Sequence, residues 1–232
     1  MLLEVEGVSF SYGEREVLRD VNFALEEGEV LGLVGPNGSG KTTLLRILCG
    51  VLRPKSGRVL LCGRDLRRFS RREVAKLVGV VPQNPLLPPA FTGLELVLLG
   101  RSPHIGLFGA ERPEDVAAAL EAMKATGTLE FAGRRIGELS GGERQKLCVA
   151  RALSQEPKIL LLDEPTAHLD INHEIEILEL VRRLAEEKKL GVVMAIHDLS
   201  LASLYCTRLL LLHRGRIFRS GSSREVIRPE IL

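Results

Sequence analysis

Gly35-Pro36-Asn37-Gly38-Ser39-Gly40-Lys41-Thr42-Thr43 fits the pattern G-x-x-x-x-G-K-[ST] of a phosphate-binding loop. It follows the apolar run Val30-Leu31-Gly32-Leu33-Val34 and precedes a helix-like segment from Thr43 to Leu48. Strand, glycine loop and helix in that order give the match its specificity. Glycines let successive backbone N–H groups turn inward around phosphate oxygens. The helix that follows presents its positive end to them. Lys41 supplies a mobile cation for the outer phosphates, and Thr42 a hydroxyl for Mg²⁺. The loop predicts a nucleoside triphosphate site and leaves open what the energy drives.

The chain has 232 residues, 45% of them hydrophobic, enough for one large α/β domain or two small lobes. No apolar run approaches the roughly 18 residues of a membrane span. Met1-Leu2-Leu3-Glu4 brings an acid at once, so no signal peptide is expected there and a cytosolic location is. Net charge is +2, with acids and bases mixed along the chain, which is no footprint of nucleic-acid binding. Arg67-Arg68 and Arg71-Arg72 make the one tight basic cluster, at a loop and helix start. Cys49, Cys62, Cys148 and Cys206 form no C-x-x-C and have no His at zinc spacing, so buried free thiols are expected.

Strands are expected over Leu2 to Phe10, Glu16 to Leu25, Val30 to Val34, Gly57 to Cys62 and Val78 to Val81. Ser70-Arg71-Arg72-Glu73 fits a capping box opening a short helix. After Gln83 the pattern changes. Residues 84 to about 155 read as largely helical, with a second capping box at Thr92-Gly93-Leu94-Glu95. Pro113 suits a first helical position and Gly127 a helix end. The strand-rich core resumes with Ile159 to Leu162. Ile171, Ile175, Leu178, Val181 and Ala185 then recur at helical spacing. Val192 to Ile196 and Arg208 to Leu212 are further buried strands, with a turn at Arg214-Gly215. Strands alternating with helices predict a mainly parallel sheet.

Ile159-Leu160-Leu161-Leu162-Asp163-Glu164 delivers two acids to the carboxyl end of a buried strand, where ligands sit in parallel α/β sheets. Asp163 is placed to hold Mg²⁺. Glu164 is placed to take a proton from an attacking water or to orient it. Leu139-Ser140-Gly141-Gly142-Glu143 is also a capping box, but a cap alone does not require two glycines. Glycines at a helix start cost stability. They imply that something approaches the bare backbone, and the helix start with its Ser140 hydroxyl is a second anion site.

These residues resemble the ABC ATPases over nearly the whole chain, with the motifs in the family's order. Tyr12 matches the aromatic residue that stacks on adenine. Gly35 to Thr43 matches the Walker A loop and Gln83 the Q-loop glutamine. Leu139 to Glu143 matches the signature, and Ile159 to Glu164 the Walker B strand with its catalytic glutamate. Ala167-His168-Leu169-Asp170 resembles the D-loop and His197 the switch histidine. Many family members have Ser-Ala-Leu-Asp at the D-loop, and here Ala167 lacks the hydroxyl.

The resemblance implies an α/β fold: a P-loop NTPase (RecA-like) core with a mainly parallel sheet, an N-terminal antiparallel β subdomain and an inserted helical subdomain. Residues 1–83 and 156–232 would form the first two, and 84–155 the insert. It further implies ATP and Mg²⁺ as cofactors. Tyr12, Gly35, Pro36, Asn37, Gly38, Ser39, Gly40, Lys41, Thr42 and Thr43 would bind the nucleotide. Thr42, Gln83 and Asp163 would hold the metal, and Glu164, His197, Gln83 and Lys41 would carry the chemistry. Ser140, Gly141, Gly142 and Asp170 would complete the ATP site of a second copy, making a homodimer.

Phe91-Thr92-Gly93-Leu94-Glu95-Leu96-Val97-Leu98-Leu99-Gly100-Arg101-Ser102-Pro103-His104 is similar to a pattern in ATPases that energise import of iron-siderophores, haem and cobalamin. Asp163 to Asp170 is typical of that group too. The expected partners are then a membrane permease docked at the 84–110 region and, indirectly, a substrate-binding protein. The place of work is the cytoplasmic face of the membrane. Another cargo, such as a metal ion, phosphonate or lipid, stays open. A DNA-repair or chromosome ABC ATPase would carry long coiled coils or zinc modules, and a ribosome-binding one two cassettes. Neither feature is found. A P-loop kinase or GTPase has no use for Leu139 to Glu143 together with His197.

Overall fold

The computed structural model describes residues 1–105, 109–167 and 169–227. In chain order the strands and helices are β1 (Leu3–Tyr12), β2 (Arg15–Leu25), β3 (Val30–Val34), α1 (Lys41–Leu48), β4 (Ser56–Leu61) and β5 (Arg64–Asp65). They continue with α2 (Arg71–Leu77), β6 (Val78–Val81), α3 (Gly93–Leu98), α4 (Pro113–Ala125), α5 (Gly141–Leu153) and β7 (Ile159–Asp163). The chain closes through α6 (Ile171–Lys188), β8 (Gly191–Ala195), α7 (Leu199–Tyr205), β9 (Arg208–His213), β10 (Arg216–Gly221) and α8 (Ser223–Val226).

Among the described residues the strands form two sheets, of order β2-β1-β4-β5 and β10-β9-β3-β8-β7-β6. The first is antiparallel throughout. In the second, only β10 runs against its neighbour. Every residue of β3, β7 and β8 is buried, which is why these strands read as unbroken apolar runs. Alternate residues serve opposite faces. Leu160, Leu162, Val192 and Met194 join a core with α3 to α6. Leu161, Val193, Leu31 and Leu33 join a core with α1 and the first sheet. The parallel sheet is therefore the middle layer of three.

Local signals set most element starts. Ser70, Thr92 and Ser140 each form the capping box that their spacing predicts. Pro113 opens α4, and Gly127 follows it at φ 67°. In β1 the alternation of Leu3 and Val5 slips to Val8 and Phe10, because Gly7 at φ 59° sits within a register shift against β2.

Three expectations need correction. The helix after the glycine loop starts at Lys41 rather than Thr43. In α6 the buried stripe is Ile177, Leu178, Leu180, Val181, Leu184 and Ala185, while Ile171 is 57% exposed. The first turn of α6 packs through His173 on the start of α5 instead of on the sheet. Of the four thiols only Cys148 is fully buried, and Cys62 is exposed on the turn after β4.

The segment Gly100 to His104 turns inward. A Cβ on Gly100 would lie 2.1 Å from the Arg151 carbonyl oxygen and 2.2 Å from Ser154 Oγ, so only glycine lets this turn meet the end of α5. Buried Arg101 donates to the Ser154 carbonyl (2.6 Å), to Asp115 (3.1 Å) and to Glu156 (2.7 Å). His104 Nε2 lies 3.0 Å from the Gln155 carbonyl oxygen. From α2, Arg72 donates to the carbonyls of Pro103 (2.7 Å) and His104 (3.1 Å). One short motif thus binds the C-terminal end of α5 and tethers it to α2. Gly100→Ala is expected to cost about 2–3 kcal/mol through overpacking against backbone. Urea denaturation checks this, and a loss below ~1 kcal/mol, within the range of volume-conserving swaps, would mean that the turn relaxes freely.

Candidate nucleotide site

Parallel pairing aligns the ends of β3, β7 and β8, with Ala195 opposite both Leu33 and Asp163. The glycine loop leaves β3 through Gly35 at φ 146° and enters α1 through Gly40 at φ 111°. A Cβ on Gly35 would lie 2.1 Å from the Leu212 carbonyl oxygen, and one on Gly40 2.8 Å from Leu18 Cδ2. Both positions therefore exclude side chains, by conformation and by space. The N-cap of α1 is Gly40 and gives no side-chain hydrogen bond. The first-turn N–H groups of α1, Lys41 and Thr42 among them, are thus left for an anion.

Lys41 is buried, and its Nζ donates to the carbonyls of Gly35 (2.8 Å) and Pro36 (3.2 Å). Burial pushes its pKa down, while Glu164 and Asp163 pull it back up. Ser39 Oγ is buried with no hydrogen-bond partner in the protein, a donor turned into the loop. A phosphate oxygen fits that orphan group. Thr42 Oγ1 donates to Asp163 Oδ1 at 3.1 Å. This hydroxyl and carboxylate are an all-oxygen donor pair that suits Mg²⁺. No group of three or more His, Cys, Asp or Glu able to hold a metal exists among the described residues. A Mg²⁺ here would take its other ligands from phosphate and water, its usual habit.

Glu164 follows β7 at φ 50°, a left-handed conformation uncommon outside glycine. Its N–H donates to the Ala195 carbonyl at 3.2 Å, which holds the turn against β8. Its carboxylate receives Gln83 Nε2 on one oxygen and His197 Nε2 on the other, both at 2.5 Å. Gln83 lies just past β6 and His197 just past β8, so three strand ends converge on one carboxylate.

A cleft of about 690 Å³ opens over the loop. Tyr12, Asn37, Gly38, Gly40, Lys41, Thr42, Thr43 and Glu164 all line it. Tyr12 is 45% exposed, and its ring is steadied edge-on by Phe10 at 4.9 Å. Arg15, Arg19 and Arg214 also line this cleft. Sequence patterns miss them, because Arg214 belongs to the β9–β10 turn. That turn reaches β2 by a hydrogen bond from Arg19 N–H to the Gly215 carbonyl (2.8 Å).

Ser140, Gly141 and Gly142 do not line the cleft over the loop. Ser140 is exposed at the start of α5. Its Oγ accepts from Glu143 N–H (3.3 Å), and its own N–H donates to Glu143 Oε2 (2.6 Å). Gly142 is buried beneath His173, which is one answer to why it is glycine. Asp170 caps α6. His168, between Ala167 and Leu169, lies outside the described residues.

The chain matches the family described as ABC transporter over residues 18–167. It is 42% identical over 232 residues to the cobalamin import ATP-binding protein BtuD of Halobacterium salinarum, spanning all of this chain and 58% of that one. It is 39% identical over 230 residues to the iron(3+)-hydroxamate import ATP-binding protein FhuC of Bacillus subtilis, spanning 99% and 86%. Among solved structures, the dimeric bacterial ABC transporter cassette MJ0796 superposes with a TM-score of 0.81 at 32% identity, covering 96% of this chain and 99% of that one. The chain belongs to the ABC transporter family. It spans little more than half the length of the Halobacterium relative and most of the Bacillus one.

Burial, helped by the neighbouring Glu164 charge, lifts the pKa of Asp163 above its ordinary value, against the Thr42 hydrogen bond and the nearby cations of Arg46 and Lys41. A carboxyl raised in the folded state binds its proton more tightly there than in the unfolded chain. Stability therefore falls as pH rises from the ordinary value through the raised one. Asp163→Asn keeps an oxygen acceptor for Thr42 and removes the buried charge. It is expected to raise the melting temperature at neutral pH by a few degrees. Melting curves from pH 5 to 8 check this, and a variant less stable than the parent at pH 8 would contradict it.

Proposed function

We propose that this chain is the ATP-hydrolysing subunit of an ABC importer, two copies of which close around two ATP molecules to drive a membrane permease. The observation that carries the chemistry is the Glu164 carboxylate, held between Gln83 and His197 at 2.5 Å on the rim of the phosphate cleft. A carboxylate fixed at both oxygens is a positioned base.

In this reading Tyr12 stacks on adenine. Gly35, Pro36, Asn37, Gly38, Ser39, Gly40 and Thr43 shape the loop, whose N–H groups bind the phosphates. Lys41 neutralises the outer phosphates. Thr42, Asp163 and Gln83 would hold Mg²⁺, which when bound would supply charge neutralisation at the transferred phosphoryl group. Glu164 takes the proton of the attacking water as its oxygen bonds the γ-phosphorus. The bond to the bridging oxygen breaks, and ADP keeps that oxygen. His197 orients Glu164 and would contact the γ-phosphate. Positioning and electrostatics do most of the work in such a reaction.

Ser140, Gly141, Gly142 and Asp170 act on the ATP of the partner copy. Their position away from the loop's own cleft, and the dimeric relative, support this. Residues 84–155 act as the helical subdomain. The permease docks at the 84–110 region, of which residues 106–108 lie outside the described residues. Leu86, 95% exposed, offers an apolar contact there. No described helix is long and apolar enough to cross a membrane, so membrane attachment through a permease fits, at the cytoplasmic face. A substrate-binding protein would act only through that permease. The cargo group is iron-siderophore, haem or cobalamin; the names of relatives support cobalamin and iron(3+)-hydroxamate, and haem rests on the sequence resemblance alone. That assignment gains little from Gly100 to His104, whose contacts serve the fold.

Glu164→Gln is expected to lower ATP turnover by at least ~100-fold, a loss typical of a missing general base. ATP binding should persist, and the variant should run as a dimer with ATP on size exclusion. Turnover within a few-fold of the parent would sink the assignment. Ser140→Arg should abolish turnover while the altered subunit still binds ATP, measured by equilibrium binding. Loss of that binding would make the signature a local cap only.

A further inference from the structure

We infer that His173 is a positioning residue, which fixes the signature start and Asp170 against each other within one subunit. The inference rests on the reading that both act on the partner's ATP.

His173 stands in the first turn of α6. A Cβ built on Gly142 would meet its ring at 2.1 Å (Cδ2), 2.7 Å (Cγ) and 2.9 Å (Nε2). The imidazole therefore fills the space that any other residue at position 142 would need. Its other edge is held as well. His173 Nδ1–H donates to Asp170 Oδ2 at 2.7 Å, and the His173 backbone N–H donates to Asp170 Oδ1 at 3.1 Å. Beside it, Leu169 Cδ2 would lie 3.5 Å from a Cβ on Gly141, an ordinary packing distance. One turn further along both helices, Lys146 Nζ donates to Glu176 Oε2 at 2.6 Å.

The imidazole is thus a wedge with two fixed faces. One lies on the bare backbone of Gly142, two residues from Ser140, and the other is bonded to Asp170. Ser140 cannot shift relative to Asp170 without breaking the Nδ1 bond or driving the ring into α5. Two groups that must reach one triphosphate together gain from such a constraint, because small misplacements cost rate steeply. His173 touches no nucleotide in this arrangement and acts through Gly142 and Asp170.

Steady-state ATP hydrolysis by the full chain tests this, with kcat and KM separated. His173→Ala should lower kcat ~10-fold with KM for ATP within ~2-fold, the pattern of a lost transition-state constraint. His173→Asn retains a donor near the Nδ1 position and should recover to within ~3-fold of the parent, which a mere space-filling role would not produce. Gly142→Ala drives a methyl into the ring, so Gly142→Ala with His173→Ala should turn over faster than Gly142→Ala alone. Where His173→Ala folds poorly, the test is His173→Asn against the parent, and a kcat more than ~3-fold below the parent then overturns the inference. A kcat for His173→Ala within ~2-fold of the parent, an Asn variant no better than Ala, or a double variant no better than Gly142→Ala would each overturn the inference. Ser140→Arg separates the two levels. If it keeps turnover, the shared-site reading falls and the inference with it. If it is inactive while His173→Ala is unimpaired, the shared site stands and only the role of His173 falls.

Discussion

Parallel pairing of β3 with β8 and of β8 with β7 is the constraint on which the site depends. Leu33, Ala195 and Asp163 stand side by side at the ends of these strands. The ladder continues past them. Ile196 N–H donates to the Leu33 carbonyl, and Glu164 N–H to that of Ala195, both at 3.2 Å. His197 and Glu164 are therefore carried into place by backbone bonds before their side chains meet. The glycine loop leaves the same edge. Its helix returns Thr42 to Asp163, so the phosphate cradle and the acids are tied from both ends.

This arrangement is held against the local preference of its parts. Lys41 and Asp163 both lose solvent, and burial shifts each toward its neutral form. Ser39 Oγ has no protein partner, and Glu164 takes a left-handed backbone. Each feature costs stability that the apolar strands on either side must offset. In the proposed reading each also leaves a group for phosphate, metal or water. Four such features meet at the ends of β3, β7 and β8, the kind of local conflict expected at a functional site.

What could be read in the sequence was what local chemistry decides. The capping boxes at Ser70, Thr92 and Ser140 need only a side chain and the next turn, and all three form. The buried strands announced themselves because both their faces are covered. The same reading misjudged contacts between distant segments. Ile171 fits the helical period and yet lies in solvent, because the first turn of α6 rests on α5. Gly100 to His104 resembles the importer group, as the relatives bear out, but its contacts with α5 and α2 were not legible in the pattern. The two glycines of the signature suggested a close approach. Gly142 meets His173, thirty-one positions away, and no short pattern could show that.

The helix α5 joins these observations. Its N-terminus carries Ser140, and its C-terminus is held by Gly100, Arg101 and His104. Thirteen residues at 1.5 Å each make it about 20 Å long. Arg72, on α2, grips the same turn through two carbonyls. A rigid rod fixed at both ends cannot move at one end alone. Any shift of Ser140 toward a partner's nucleotide must displace the 100–104 turn, or bend α5, or break its bonds to α2. The surface expected to meet a permease follows β6 and leads directly into that turn. If the proposed shared ATP site closes by moving Ser140, the packing of this single helix would carry the displacement to that surface.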